Sequence, residues 1–232
     1  MELMKKFIIF KQGVLEELPL QLGVFPFGII YGIMAIESGL TPIQAFLMSS
    51  IIFGGASQIA FVQLISSATP LGVVVTTVSA INSRHFLYSI SMMEYLKNLS
   101  LKWRIVLSYL LTDEAYAVSI RRFINEPSTS FLHFHLLGTG ITLFLSWQIS
   151  TLIGVLVGGD LPQFLDLQFI IPLTFIAIIV PMIKSISTFF VVIASAFSGL
   201  ILKSLDINFW IVISGMIGVV IGLISSKLDK KR

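Results

Sequence analysis

Cysteine is absent and charge is scarce. Without a thiol the chain cannot form disulfides, cannot use thiol catalysis and cannot hold a metal through cysteine. Asp, Glu, Lys and Arg make up only 12% of the residues, about half the usual share in a soluble domain. Hydrophobic residues make up 56%, in repeated long runs, and phenylalanine is unusually common. That balance describes an integral membrane protein. The N-terminal stretch "MELMKKFIIFKQG" is a poor signal peptide: its apolar core, "FIIF", falls short of the roughly 7–15 residues required, and Lys11 follows at once. Residues 1–17 are read as a cytoplasmic lead-in and 227–232 as a basic cytoplasmic tail, with the whole chain, 1–232, forming one transmembrane domain.

What is present is a series of eight apolar segments, some short or interrupted. They run over about Leu18–Ile36, Pro42–Ile65, Pro70–Met92, Trp103–Ile120, Phe131–Val157, Phe169–Ile183, Thr188–Leu202 and Phe209–Ser225. A full span needs roughly 20 apolar residues, with about 17 as the lower limit. The sixth and seventh are marginal by that measure. The expected fold is therefore all-α and polytopic, with seven to eight transmembrane helices, some broken or re-entrant. The stretches "ESGLTPIQAFLMSS" and "GGDLPQFLDLQFII" faintly echo one another, and an internal repeat would suit a transporter.

Basic residues set the expected orientation. With eight spans and both termini in the cytoplasm, Lys5, Lys6, Lys11, Arg121, Arg122, Lys184, Lys227, Lys230, Lys231 and Arg232 lie inside, and Lys97, Lys102, Arg104 and Lys203 outside. Glu37, Asp160 and Asp166 also fall outside. If the second or fourth segment does not cross, the loop from Lys97 to Arg104 moves inside.

The third segment holds "TVSAINSRHFLYS", where Asn82, Arg84, His85 and Tyr88 sit at membrane depth. A charge there costs about 3 kcal/mol on insertion scales. On one helical wheel Arg84, Tyr88, His85, Ser89 and Asn82 fall within roughly 160°, opposite Phe86, Ile90, Leu87 and Ala80. In the fourth segment Asp113, Tyr109, Tyr116, Thr112, Ser119 and Ser108 share an arc of roughly 140°, and Glu114 points about 100° away from Asp113. With the loop 93–102 as a hairpin, Arg84 lies about 12 Å and Asp113 about 15 Å beneath it. The matched depths predict an Arg84–Asp113 ion pair, direct or through water, which offsets both charges. The pair is either purely structural or part of a transport path; the planar guanidinium can also hold a substrate carboxylate through two hydrogen bonds. His85 is either a proton relay or a neutral histidine satisfied by a carbonyl. His133 and His135, two residues apart, cannot share a metal and are read as interfacial anchors.

"FGGASQIAFVQ" in the second segment is the other polar feature. At Gly54, Gly55, Ala56 and Ser57 either the helix breaks and offers backbone groups to a ligand, or a neighbour packs closely. Gln58 and Gln63 need hydrogen-bond partners. Pro26 is expected to kink the first segment, and Gly28 with Gly32 forms a GxxxG packing pair. No Walker loop, HExxH, paired-cysteine ligand set or Gly-x-Ser-x-Gly elbow occurs. No catalytic residue, metal site or cofactor is expected, nor a nucleic-acid partner. A secondary transporter driven by an ion gradient fits best; the alternative is a non-transporting membrane scaffold subunit for a partner permease or channel.

"LPLQLGVFPFGIIYG", "SGLTPIQAFLMSSIIFGGASQIAFVQL", "NSRHFLYSISM", "LTDEAYAV" and "IIPLTFIAIIVPMI", in that order, resemble the AzlC family, also called YgaZ or BrnF. Ser83 stands where that family more often has an apolar residue. The resemblance implies the large subunit of a bacterial exporter of branched-chain amino acids, with methionine often carried too, driven by the proton gradient. It implies a multi-pass inner-membrane protein that works with a small hydrophobic AzlD-type subunit. Combined with the polar residues, it suggests that Arg84 holds the substrate carboxylate and Asp113 the ammonium or a coupling proton. Asn82, His85, Tyr88, Tyr116, Glu114, Ser57, Gln58, Gly54 and Gly55 complete the expected site, with Phe25, Phe27 and Phe61 as candidates to receive the aliphatic tail.

Overall fold

A 26-residue helix, α9 (Leu132–Val157), is the element around which much of the chain is built. The computed structural model describes residues 2–126, 131–158, 183 and 185–229. Secondary structure among the described residues is entirely helical. Two units emerge: one from Met1–Ser66 and Ile81–Leu161, the other from Ser67–Ala80 and Pro162–Arg232. The sixth apolar segment, the "IIPLTFIAIIVPMI" run, the second half of the sequence echo, Asp160, Asp166, Lys184 and the last three residues lie outside the described residues, Gly158 and Ile183 excepted.

In the first unit, α1 (Glu2–Glu17) passes through a 3-10 turn, Leu18–Leu20, into α2 (Gln21–Glu37). The lead-in is thus helical, and it packs on α9. At about 1.5 Å per residue the 36 residues from Glu2 to Glu37 reach about 54 Å, well beyond the roughly 30 Å of hydrocarbon in a bilayer. Both helices approach α9 backbone to backbone. A Cβ at Gly13 would collide with the His135 carbonyl, and one at Gly138 with the Phe10 carbonyl. Gly28 faces Ser150 and Trp147; Gly32 and Gly154 face each other's helices. The GxxxG pair is therefore used for packing, the usual role of small residues between helices in lipid. Pro26 lies inside α2.

Six short helices follow along the chain in pairs. They are α3 (Pro42–Ile52) and α4 (Gly55–Ser66), α5 (Leu71–Asn82) and α6 (Arg84–Leu96), then α7 (Leu101–Leu110) and α8 (Asp113–Asn125). The residues of α5 up to Ala80 belong to the second unit. At 10–13 residues each, they are about half as long as a bilayer is thick. The second, third and fourth apolar segments, read from sequence as continuous, are each interrupted, and the two single-wheel arcs are corrected accordingly. Asn82 precedes one break, and Tyr109 and Ser108 precede another, so they do not share helices with Arg84 and Asp113.

Local chemistry explains the boundaries. Thr41 caps α3 by accepting from Gln44 N while Gln44 Oε1 accepts from Thr41 N, with Pro42 at the first helical position. Phe53 then turns left-handed, at φ 40°, and ends α3. Asn82 and Ser83 offer side chains that compete for backbone bonds. Thr112 is extended and starts α8, whose first turn carries Asp113 and Glu114, the sign that the positive end of a helix favours.

Polar bonds tie this unit to α9. Ser49 Oγ meets Thr151 Oγ1 at 3.0 Å, Ser50 Oγ donates to Gln148 Oε1 at 2.9 Å, and Ser119 Oγ meets Thr139 Oγ1 at 3.1 Å. Tyr31 donates to the Ala45 carbonyl at 2.8 Å, linking α2 to α3. His135 is fully buried and bonds Glu16 at 3.0 Å, so it is not an interfacial anchor. Half-buried His133 packs edge-on to Trp103.

In the second unit α10 (Ile186–Ser204) and α11 (Trp210–Asp229) pack together, with Gly218 against Ser195 and Gly199 against Ser214. Among the described residues, three helical stretches, Glu2–Glu37, α9 and α10, are long and apolar enough to cross a membrane. Large apolar side chains face outward, among them Leu22 at 84%, Phe86 at 75% and Ile43 at 71% exposure. A water-soluble surface would not expose so many; a lipid-facing one does.

The glycine contacts carry a direct test. Gly154→Leu drives a side chain into the Ile29 carbonyl and should destabilise the detergent-solubilised protein by about 1–3 kcal/mol or more. Gly23→Ala, with nothing within 4 Å of the added carbon, should leave the unfolding midpoint within about 0.5 kcal/mol of the parent.

Candidate functional site at three helix breaks

The three breaks meet. Arg84, the first residue of α6, contacts Asp113, the first residue of α8, through Nη1 and Oδ2 at 2.7 Å. A Cβ at Gly54 would stand 3.2 Å from Asn82 Oδ1 and 3.8 Å from His85 Cε1, which brings the α3–α4 break against the α5–α6 break. The Tyr109 hydroxyl, near the end of α7, donates to the Ser50 carbonyl of α3, and its ring lies 5.8 Å from that of Phe53. Each break thus touches the other two.

The ion pair is about one-third exposed on both sides. It is a single contact rather than a two-point fork. Arg84 Nε and Asp113 Oδ1 are buried and have no hydrogen-bond partner among the described residues, as do Asn82 Oδ1 and Thr112 Oγ1. Satisfied interiors leave few such atoms, and here four occur at the ends of half-helices. Below the pair, α6 and α8 continue to match. Tyr88 stacks on Tyr116 at 4.5 Å, and Tyr116 donates to Ser91 Oγ at 2.9 Å. Residues 84, 88 and 91 recur at helical spacing, as do 113 and 116, so one face of each helix presents its polar groups to the other.

The FGGASQ stretch both breaks and packs. Ser57 Oγ donates to the Gly54 carbonyl at 2.8 Å, and Gly54 N donates to Gln58 Oε1 at 3.2 Å, closing the start of α4. Both side chains are fully buried. Gly55 looks elsewhere: a Cβ there would press on Trp147 and on Phe27. Left-handed backbone at a non-glycine residue costs about 1–2 kcal/mol. Phe53 sustains it within an aromatic contact, edge-on to Phe144 at 5.2 Å. Strain of this kind gathers where a backbone must be presented in one particular way.

Charge defines the character of the place. Helices α4, α6 and α8 all begin here, and helix N-termini carry partial positive charge. Arg84 adds a full positive charge at one of those ends, where a cation is disfavoured; Asp113 compensates it. The locus is suited to an anion with a carboxylate's geometry.

Of the expected residues, Arg84, Asp113, Asn82, His85, Tyr88, Tyr116, Gly54, Ser57 and Gln58 come together. Glu114 makes no ion pair among the described residues. Phe27 reaches Gly55, and Phe25 and Phe61 are half-buried. Tyr109, Phe53 and Ser91 belong to the assembly and were not among the expected residues. Glu17 was also missed. It is fully buried, with Oε1 accepting from Gln21 at 3.0 Å; the sequence signal was an acidic pair directly before an apolar run. A second ionic cluster joins α1, α8 and α9. In it Arg122 meets Glu16 at 2.7 Å and Glu126 at 3.4 Å.

A double-mutant cycle should register the pair. Arg84→Ala and Asp113→Ala each leave a partner uncompensated, so the double variant should be more stable than the sum of the singles by about 1 kcal/mol, after allowance for exposure. Additive losses in chemical denaturation would show that the two charges do not couple.

A family model described as AzlC protein matches residues 19–161. A protein of Archaeoglobus fulgidus named as an uncharacterized membrane protein is 29% identical over 188 residues, 79% of this chain and 80% of the relative. The inner membrane protein YgaZ of Escherichia coli is 26% identical over 155 residues, 66% of this chain and 63% of YgaZ. A membrane protein of Helicobacter pylori is 28% identical over 151 residues, 65% of this chain and 64% of the relative. In these last two the match spans less than two thirds of the relative's own length. No solved structure matches the chain. Because the family match takes in more than half of the sequence, and with it every residue of the three breaks, this membrane protein belongs to the AzlC family.

Proposed function

We propose that the protein is a secondary transporter, the large subunit of an exporter of branched-chain amino acids, leucine, isoleucine and valine, with methionine among its substrates. Export is coupled to protons and no enzyme chemistry is involved. The three pairs of short helices are discontinuous spans within a total of seven or eight, in a bacterial inner membrane, with both termini cytoplasmic. A small hydrophobic AzlD-type subunit completes the exporter.

One observation carries this reading: three interrupted helices bring their breaks together around an Arg–Asp pair. Discontinuous helices whose N-termini point at an anionic substrate group are a recurring device of secondary transporters. An amino acid supplies a carboxylate, an ammonium and a side chain. The carboxylate meets Arg84 and the positive ends of α4, α6 and α8. The ammonium, or a proton in its absence, goes to Asp113. The aliphatic tail lies toward Phe27 and Trp147 beside Gly55. Arg84 and Asp113 therefore hold each other at rest and exchange that contact for the substrate and a proton in turn.

Export of labelled leucine from proteoliposomes holding the chain with its small subunit tests the scheme. Arg84→Lys keeps the charge but loses the planar fork, and should reduce export by about tenfold or more. Asp113→Asn should abolish the response to an imposed pH gradient. Parent-like, gradient-driven export by both variants would overturn the assignment. Failure of every hydrophobic amino acid to move, or to shift thermal stability, would favour a scaffold instead.

A further inference from the structure

A groove in the first unit lies apart from the Arg84–Asp113 contact. That groove, about 620 Å³, runs between α6 and α7 near their hairpin. Its floor is made by the buried side chains Met92, Leu96 and Leu111. Ile105, 61% exposed, forms part of its wall. At the hairpin end stand Lys97 and Arg104, both exposed. Neither takes part in an ion pair among the described residues. Glu94, also exposed on α6, does not line the groove and forms no such pair.

We propose that this groove is a binding site for one anionic phospholipid. The distribution of charge selects that occupant. Two uncompensated cations mark one end, and from Arg104 to Leu111 a channel that is apolar apart from the hydroxyls of Ser108 and Ser89 extends about 10 Å along α7. A phosphate headgroup meets the first feature and an acyl chain the second. Lys and Arg side chains at a membrane boundary place their heads in the headgroup layer and their stems on apolar surface, and basic pockets between helices hold anionic headgroups in this way. A hydrophobic helix in the groove would fit the floor but leave both cations against apolar surface. The deep end has a structural consequence: Leu111 directly precedes the break at Thr112 and Asp113, so an acyl chain would brace the end of α7.

The test uses the full chain purified in detergent. Phosphatidylglycerol and phosphatidylcholine with identical acyl chains are added in competition, and retained lipid is counted by native mass spectrometry. Phosphatidylglycerol should be retained preferentially by about tenfold or more, given two cations near the surface. It should also raise the thermal midpoint, which phosphatidylcholine should not. Lys97→Gln with Arg104→Gln should remove the preference while leaving the lipid-free midpoint within error; Lys203→Gln, on α10, should keep it. Equal retention of the two lipids, or an undiminished preference in the double variant, overturns the proposal. So does a protein occupant: Ile105→Cys gives the chain its only thiol, and efficient disulfide dimerisation in native membranes would assign the groove to a second copy.

Discussion

The contact between Arg84 and Asp113 is the interaction on which this arrangement turns. It joins the first residue of one half-helix to the first residue of another. Its strength comes from necessity more than from Coulomb attraction. An arginine at the positive end of α6 is opposed by the helix itself, and either charge alone at membrane depth would be expensive. Together the two neutralise each other while keeping unused hydrogen-bonding capacity, because only one nitrogen and one oxygen are engaged. A two-point fork would be more stable and less exchangeable.

The surroundings of that pair are arranged to keep it poised. Phe53 holds left-handed backbone within an aromatic contact, which fixes the direction in which α4 begins. Tyr109 ties α7 to α3, and stacked Tyr88 and Tyr116 align α6 with α8. These contacts fix the breaks without filling the polar atoms that converge there. Backbone groups freed by an interrupted helix are tolerated at membrane depth only where protein or water satisfies them. Ser57 and Gln58 do that work for Gly54.

Much of this was legible in the residues. The low charge and long apolar runs identified a helical membrane protein, and the matched depths of residues 84 and 113 brought that pair together. GxxxG packing at Gly28 and Gly32 was also visible. The interruptions were harder to see. Hydropathy is indifferent to a single left-handed residue such as Phe53, and a helical wheel assumes the continuity it is used to display. The signals were present in Thr112 followed by two acids and in Asn82–Ser83, both of which favour helix ends over helix middles. His135 escaped because its partner, Glu16, is over a hundred residues away in sequence. Glu17 escaped because a charged segment before an apolar one reads as solvent-exposed until the element that covers it is known.

Two kinds of joint hold this unit, and they differ in what they permit. Where α1 and α2 meet α9, glycine lets carbonyls approach so closely that even a methyl group has no room. Sliding or rotation there would drive backbone into backbone. Where the short helices meet one another at their breaks, the contacts are rings, hydroxyls and one ion pair. The long helices α1, α2 and α9 are therefore locked to one another main chain against main chain, and a bulkier residue at any of these glycines would wedge them apart.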